Sequence, residues 1–188
     1  MFKARGLLFI LLVPVFLVAC VSNMAKQLTD LAAEDRVQNN EMALSRGERV
    51  FDAPSLTVIK AFITTFSQFN MSVVNLDKEV GYILAEGDMP VSPEKLKELG
   101  LAETARMNER TTGAIWQYAG NNMTVRVTVN LFEKEKDVIT AKMGVSSRQN
   151  AQPGVIVKNE LPPSFTDAIY TSLWSEFDKQ LFMFQGTK

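Results

Sequence analysis

The side chains best suited to chemistry are few and lie far apart in the sequence. Glu86 and Asp88 have the two-residue spacing that places both carboxylates on one face of a strand, where they could act as an acid and a base. Arg106 and Arg110 lie about one helical turn apart and could bind an anion together. A solvated surface is the simpler interpretation of both pairs, because a loop follows the carboxylates and acidic residues flank the arginines.

A third candidate is Ser92-Pro93-Glu94-Lys95, which has the Ser-x-x-Lys pattern of the nucleophile in penicillin-interacting enzymes. Those enzymes also need Ser-Asp-Asn and Lys-Thr-Gly segments, and the sequence contains neither. The start of a helix explains the same four residues, because serine is a preferred N-cap and proline a preferred first residue. We therefore predict no catalytic site and a protein that is not an enzyme.

The composition agrees with this expectation. The 188 residues include no histidine and one cysteine, with 20 Lys+Arg against 21 Asp+Glu. Lack of histidine removes the most common proton-transfer side chain and the most common nitrogen ligand of metals. A single cysteine cannot form an intrachain disulfide or a four-thiolate zinc site, and a formal charge of −1 provides no basic field for nucleic acid. We expect no metal, no non-covalent cofactor and no nucleic-acid partner.

The first nineteen residues have the pattern of a signal peptide. Lys3 and Arg5 precede the apolar run Leu7–Ala19. This run is too short for a helix that crosses a bilayer, which needs about 20 residues, whereas its length and basic flank are typical of a signal-peptide core. We predict that residues 1–19 are removed.

The run ends in Leu17-Val18-Ala19-Cys20, which resembles the lipobox of bacterial lipoproteins, and the chain's one cysteine stands at the position where that motif needs it. The resemblance implies cleavage between Ala19 and Cys20, with covalent diacylglyceryl and N-acyl groups, palmitate among them, on Cys20. No aspartate follows the cysteine, which by resemblance to sorted lipoproteins implies the periplasmic face of the outer membrane. An ordinary secretory peptide or an N-terminal anchor helix remains the alternative.

Residues 20–45 are predicted to tether the domain to the lipidated cysteine. The stretch 21–45 contains no aromatic residue and is rich in amides and acids. Met24, Leu28, Leu31 and Ala32 have helical spacing, so a short amphipathic helix is one interpretation. We favour the other, a mobile spacer that spans roughly 25–30 Å.

Residues 46–186 are predicted to form a single α+β domain, in which an antiparallel sheet packs against an N-terminal helix and a long C-terminal helix. Apolar residues recur at three- and four-residue spacing from Leu56 to Phe69 and again from Phe165 to Phe184, which indicates two helices. A third, less regular helix should follow Ser92. Alternation of apolar and polar residues predicts strands from Val125 to Leu131, where it is strict, and from Ile139 to Val145. Shorter strands are expected at 46–51, 71–76, 82–86 and 115–118. Ser164 and Asp167 have the spacing of a capping box.

This domain resembles the helix-grip domains of the C-component lipoprotein of the outer-membrane β-barrel assembly machinery. The segments that carry the resemblance are Arg46 to Pro54, Val58 to Phe69, Met71 to Val74, Asp77 to Ala85, and Leu173 to Phe182. The similarity is one of pattern over nearly all of the domain and includes no catalytic signature. It implies a non-enzymatic binding or scaffolding module of an envelope complex, whose partners are the membrane, through the lipid, and other envelope proteins.

Two apolar features are candidate surfaces for a partner or a ligand. In the last helix, Trp174 and Phe182 add to an apolar stripe that is already full, although packing in the core would also explain them. Before that helix, Val155, Ile156 and Val157 form an apolar segment in a proline-rich stretch that could dock on a partner or form an edge strand. The alternative function is a carrier that holds a lipid or other apolar ligand in a cavity between the sheet and the last helix.

Overall fold

A computed structural model of the chain describes residues 5–111, 123–149 and 160–186. Within these residues the chain forms four helices and five strands, and the strands make one antiparallel sheet. The elements are, in chain order, α1 (Arg5–Arg46), β1 (Glu48–Asp52), α2 (Ser55–Gln68), β2 (Ser72–Asp77), β3 (Tyr82–Gly87), α3 (Pro93–Arg110), β4 (Met123–Glu135), β5 (Val138–Gln149) and α4 (Pro163–Gln185).

The five strands form one sheet in the order β1-β5-β4-β3-β2. The hairpin of β4 and β5 lies at its centre and turns through Lys136 and Asp137, where Asp137 has a φ of 63°. Alternate residues of β4 point to opposite faces, so that Val125, Val127 and Val129 are fully buried whereas Arg126 is exposed. The expected α+β architecture with an antiparallel sheet is therefore confirmed.

Helices α2 and α4 pack against each other on the buried face of the sheet, and aromatic rings fill the space between them. The ring of Phe62 in α2 lies 4.2 Å from that of Phe177 and 5.8 Å from that of Trp174, both in α4. Phe51 of β1 closes the cluster at 4.8 Å from Phe177. Such contacts stabilise a core beyond the area that they bury.

Several local predictions need correction. Helix α4 begins with Pro162 as its N-cap and has no side-chain cap, so Ser164 and Asp167 do not form the expected capping box. The predicted turn at residues 133–137 is narrower, because β4 continues to Glu135. The strand expected at 115–118 lies outside the described residues.

The largest correction concerns residues 21–45, for which we favoured a mobile spacer. All of them belong to α1, a continuous helix that runs from Arg5 to Arg46. Leu31 and Asp35, at 1% and 0% exposure, are as buried as the core. The folded unit therefore includes the last turns of α1 and begins well before the predicted boundary at Arg46.

Candidate functional site

The predicted lipidation site lies within α1. The backbone is helical at Ala19 and Cys20, and the side-chain positions that the structure describes in this helix begin at Asn23. Eleven residues separate Cys20 from the buried Leu31, which corresponds to about 16 Å along a helix. Among the residues whose side chains the structure describes, no helix is long and apolar enough to cross a membrane.

Arg106 of α3 attaches α1 to the domain through the buried carboxylate of Asp35, and Glu103 of its own helix binds the same guanidinium. Its guanidinium donates two hydrogen bonds to Asp35, at 2.8 and 2.9 Å, and two to Glu103, also at 2.8 and 2.9 Å. Asp35 is 0% exposed and Glu103 4%, so both charges would be costly without this partner. The hydrogen bonds from Arg106 to Glu103 and then Asp35 raise the pKa of Arg106 further above its ordinary value. The guanidinium is therefore a permanent positive charge in this cluster.

Further polar contacts hold α1 on either side of this cluster. Arg110 donates to both oxygens of Glu34, at 2.8 and 2.9 Å, in a pair that is about half exposed. Asn39 donates from Nδ2 to the backbone oxygen of Leu161 at 2.8 Å, just before α4. These contacts fix α1 against α3 on one side and against the start of α4 on the other.

The end of α1 is also in direct contact with α4 and with the sheet. Arg46 forms an ion pair with Asp167, and its backbone oxygen accepts a hydrogen bond of 2.8 Å from the indole nitrogen of Trp174. Gly47 is the single residue between α1 and β1. A Cβ atom there would lie 2.6 Å from the backbone oxygen of Met143 and closer still to that of Ala43, so only glycine fits between the helix end and β5.

A cleft of about 460 Å³ opens beside this joint, between α1, β1 and α4. Its lining is mostly polar and its charges are paired, since Arg49 lies 3.0 Å from Asp178 and Arg46 pairs with Asp167. The guanidinium of Arg49 also stacks over the ring of Trp174, at 4.7 Å from the ring centre. The lining residues are Ser45, Arg46, Glu48, Arg49, Tyr170, Thr171, Trp174, Ser175 and Asp178.

Tyr170 lines this cleft and is a titratable group that is almost fully buried. It is 1% exposed, and its hydroxyl donates to the backbone oxygen of Met143 at 3.1 Å. Burial raises the pKa of Tyr170, although a backbone hydrogen bond at Val145 acts in the opposite direction. Because the phenol is neutral at neutral pH, it acts as a structural link between α4 and β5 there.

The predicted partner surface is divided by the structure. Trp174 is 2% exposed and belongs to the core, so its assignment to an exposed surface is corrected. Phe182, only two turns later in α4, is 77% exposed, and Met183 beside it is 53% exposed. Val155, Ile156 and Val157 lie outside the described residues.

Two of the candidate catalytic groups, Ser92 and Glu86, have structural contacts. Ser92 is the N-cap of α3 and accepts a hydrogen bond from the backbone nitrogen of Lys95 at 3.2 Å, as the helix-start interpretation predicts. Glu86 accepts a hydrogen bond of 2.7 Å from Arg126 on the neighbouring strand, and Asp88 is exposed in the loop that follows β3. Within the described ranges no three acidic or cysteine side chains are grouped closely enough to hold a metal ion.

The sequence interpretation missed the site where α1 docks. Arg106 and Arg110 were singled out as a possible anion-binding pair, and their partners were sought among neighbouring acids. Arg106 does bind one neighbouring acid, Glu103, but the other anions that the two arginines bind are Asp35 and Glu34, some seventy residues earlier in the chain. The available signal was the helical phase of α1, which places Asp35 on the same side as Leu31 and Met42.

No family model matches the chain, and no curated protein matches its sequence.

Proposed function

We propose that this chain is a lipoprotein of the outer membrane, anchored at the periplasmic face through acyl groups on Cys20. Its domain would serve as a non-enzymatic binding or scaffolding module of an envelope complex. The observation that carries the proposal is the position of the chain's one cysteine, at the end of a short apolar run in Leu17-Val18-Ala19-Cys20. Several acyl chains on one residue hold a protein stably at a membrane, whereas one chain does so only marginally.

The form of α1 supports a role in which the position of the domain matters. A helix joins Cys20 to Leu31, where side-chain burial against the domain begins. Such a connection holds the domain at a fixed distance of about 16 Å along the helix from the lipidated residue, whereas a flexible chain would allow a broad range of distances. A fixed distance suits a module that contacts other components at a defined distance from the lipidated residue.

The interior supports a binding module better than a carrier. Phe62 of α2 is in direct ring contact with Phe177 and Trp174 of α4, and Phe51 of β1 lies against Phe177, so that these rings fill the space between the two helices and the edge of the sheet. The cleft beside α1 is lined mainly by polar and charged side chains, which do not suit an apolar ligand. We therefore place the adaptor role ahead of the carrier role.

The exposed end of α4 is the surface that we propose for a partner protein. Helix α1 meets α4 near Leu161 and Asp167, at the beginning of α4, whereas Phe182 lies near its end. Fifteen residues of helix, or about 22 Å, separate Asp167 from Phe182. An exposed aromatic side chain this far from the end at which the anchor arrives suits a protein partner better than the lipid surface.

The anchor is tested by labelling cells with a radioactive fatty acid and fractionating their envelopes. The expected result is label on the full chain, recovery with the outer membrane, and loss of both on Cys20→Ser. Ser22→Ala is the matched control, because it changes a neighbouring residue outside the Leu17–Cys20 motif. A Cys20→Ser protein that stays labelled and membrane-bound would contradict the proposal.

The binding role is tested with a photo-crosslinking amino acid at Phe182 in intact envelopes. We expect one or a few envelope proteins to be crosslinked there, and none from the same probe at Val80. Val80 is a matched control because it is 72% exposed and lies in the turn between β2 and β3. Recovery of a co-purifying lipid with no protein adduct would overturn the adaptor role in favour of the carrier.

A further inference from the structure

Helix α1 has a second face that the domain does not use. The side of α1 that docks on the domain carries Leu31, Asp35 and Met42, which are buried or partly buried. At 3.6 residues per turn, the opposite side of the helix, roughly 180° away, carries Ala33, Val37, Asn40 and Leu44. All four are exposed, and Val37 and Leu44 are among the large apolar side chains most open to solvent, at 58% and 84%.

The spacing of these four residues is that of a coiled-coil seam. The intervals from Ala33 to Val37, Asn40 and Leu44 are four, three and four residues, which place them at alternating a and d positions of a heptad. Val37 and Leu44 occupy the a positions. Asn40 occupies the second d position and is the one polar member of the four. We refer to these four residues as the α1 seam.

The charges beside the seam indicate what would cover it. Arg36 lies on one flank, at a g position, where its side chain is 67% exposed and its guanidinium lies 3.8 Å from the carboxylate of Glu160 in its own chain. Glu41 lies on the other flank, at an e position. When two such helices run parallel, the g residue of one faces the e residue five positions later in the other. Arg36 of one copy would therefore meet Glu41 of the second, and the two-fold symmetry repeats the pair on the other side.

We propose that α1 pairs in parallel with the α1 of a second copy of this chain through the α1 seam. The parallel direction rests on the proposed function, because two copies anchored in one membrane must present their helices with the same end toward the lipid. The two domains would not collide, since each docks on the side of α1 that faces away from the seam.

The length of the seam sets the strength of the contact. Upstream of Ala33 the next two seam positions are held by Asp30 and Lys26, so the apolar part spans twelve residues. A coiled coil of this length is marginal in water. Anchoring in one membrane raises the effective concentration of the second helix, as linkage does for two binding modules, so we expect pairing in the membrane and a monomer in dilute solution.

Disulfide crosslinking in envelopes tests the pairing with the full chain. Leu44→Cys places a thiol at the seam, next to the same residue of the second copy in a parallel pair, and mild oxidation is expected to produce a disulfide-linked dimer. Gln38→Cys is the matched control, because Gln38 is exposed on the same helix but points away from the seam, and it is expected to produce none. The unsubstituted chain, whose thiol is blocked if Cys20 is acylated, completes the set.

Direction and chemistry are tested separately. An antiparallel pair would join Ala33→Cys to Leu44→Cys in mixed expression and would leave Leu44→Cys alone without a dimer, which would overturn the parallel arrangement. In the Leu44→Cys background, Val37→Lys is expected to abolish the dimer. Glu41→Arg is expected to reduce it, and Arg36→Glu added to Glu41→Arg is expected to restore it.

The same samples separate this inference from the anchor. If the protein is in the membrane fraction and Leu44→Cys forms no dimer, the pairing is refuted and the anchor stands. If the protein is absent from the membrane fraction, the anchor is refuted, and with it the pairing of anchored copies. A dimer that also forms with Gln38→Cys would show random collision and would equally refute the pairing.

Discussion

The substitution of Arg106 by methionine isolates the contact that docks α1. Methionine keeps an unbranched apolar stem and removes the guanidinium, which leaves Asp35 and Glu103 buried together without their cation. Removing one partner of a buried ion pair costs about 3–5 kcal/mol of folding free energy. For a protein of this size each kcal/mol lowers Tm by about 2–4 °C, so the expected decrease is roughly 6–20 °C.

Arg110→Met is the matched control. Arg110 lies one turn later in the same helix and pairs with Glu34, the residue next to Asp35 in α1. The side chains of Arg110 and Glu34 are each about half exposed. An exposed pair contributes about 0–1 kcal/mol, so the Tm of Arg110→Met should differ from that of the parent by a few degrees at most. The comparison holds the helix and the charge change constant and varies only burial.

The assay has two readouts, because α1 can detach while the sheet stays folded. Thermal unfolding of the full chain in mild detergent, followed by circular dichroism, reports global stability. Limited proteolysis at pH 7 reports whether α1 has become accessible between Leu31 and Arg46. Arg106→Met should lower Tm, expose α1 to protease, or both, and adding Asp35→Asn should recover part of the loss by removing one of the two facing charges.

The reasoning would be refuted if Arg106→Met and Arg110→Met had the same Tm and the same protease pattern. That result would mean that Asp35 and Glu103 do not depend on Arg106 for their burial, and that the other contacts of α1, such as those of Asn39 with Leu161 and of Arg46 with Trp174, are enough to hold it.

Three further predictions follow from contacts described above. Gly47→Ala should destabilise the protein by about 1–3 kcal/mol or more in chemical denaturation, because the added methyl meets backbone oxygens on two sides, whereas Gly186→Ala should be nearly neutral because its Cβ would lie no closer than 3.5 Å to its neighbours. The raised pKa of Tyr170 provides stability that is complete below its ordinary value of 10.0 and is lost as pH rises through the folded-state pKa; Tyr170→Phe should therefore show a smaller loss of stability between pH 9 and about 11 than the parent, and equal slopes would contradict the buried phenol. Phe177→Ala should cost about 3–5 kcal/mol in the same denaturation experiment and Phe182→Ala almost nothing, and a similar cost for both would contradict the division of α4 into a buried and an exposed end.

The parts of the fold that sequence patterns predicted are those that bury a face by local periodicity. The alternation from Val125 to Leu131 identified β4, and the spacing of Leu56 to Phe69 identified α2, because one buried face in each case repeats with the period of its own element. Turn residues located the hairpin of β2 and β3 for a similar reason, since the carboxylate of Asp77 accepts hydrogen bonds from the backbone nitrogens of Glu79 and Val80.

The course of α1 after residue 20 could not be predicted in the same way. Its docked face includes the carboxylate of Asp35, which a pattern of apolar residues assigns to solvent. Burial of that carboxylate depends on Arg106, which is 71 residues away and becomes its neighbour only when α3 is in place. The prediction that Trp174 could lie on an exposed surface was wrong because it is an apolar residue that could be either buried or exposed. Nothing in the local sequence distinguishes it, on the buried side of α4, from the exposed Phe182.

Because Gly47 is the only residue between α1 and β1, the orientation of the sheet is fixed relative to α1. A flexible linker between α1 and β1 would let the rest of the domain rotate relative to α1, so that its surfaces would face many directions. Here the helix ends against the edge of the sheet with one residue between them, and the indole of Trp174 binds the last carbonyl of the helix. If α1 rotates about its own axis, the sheet and α4 must therefore rotate with it. The direction in which Phe182 points is fixed relative to α1.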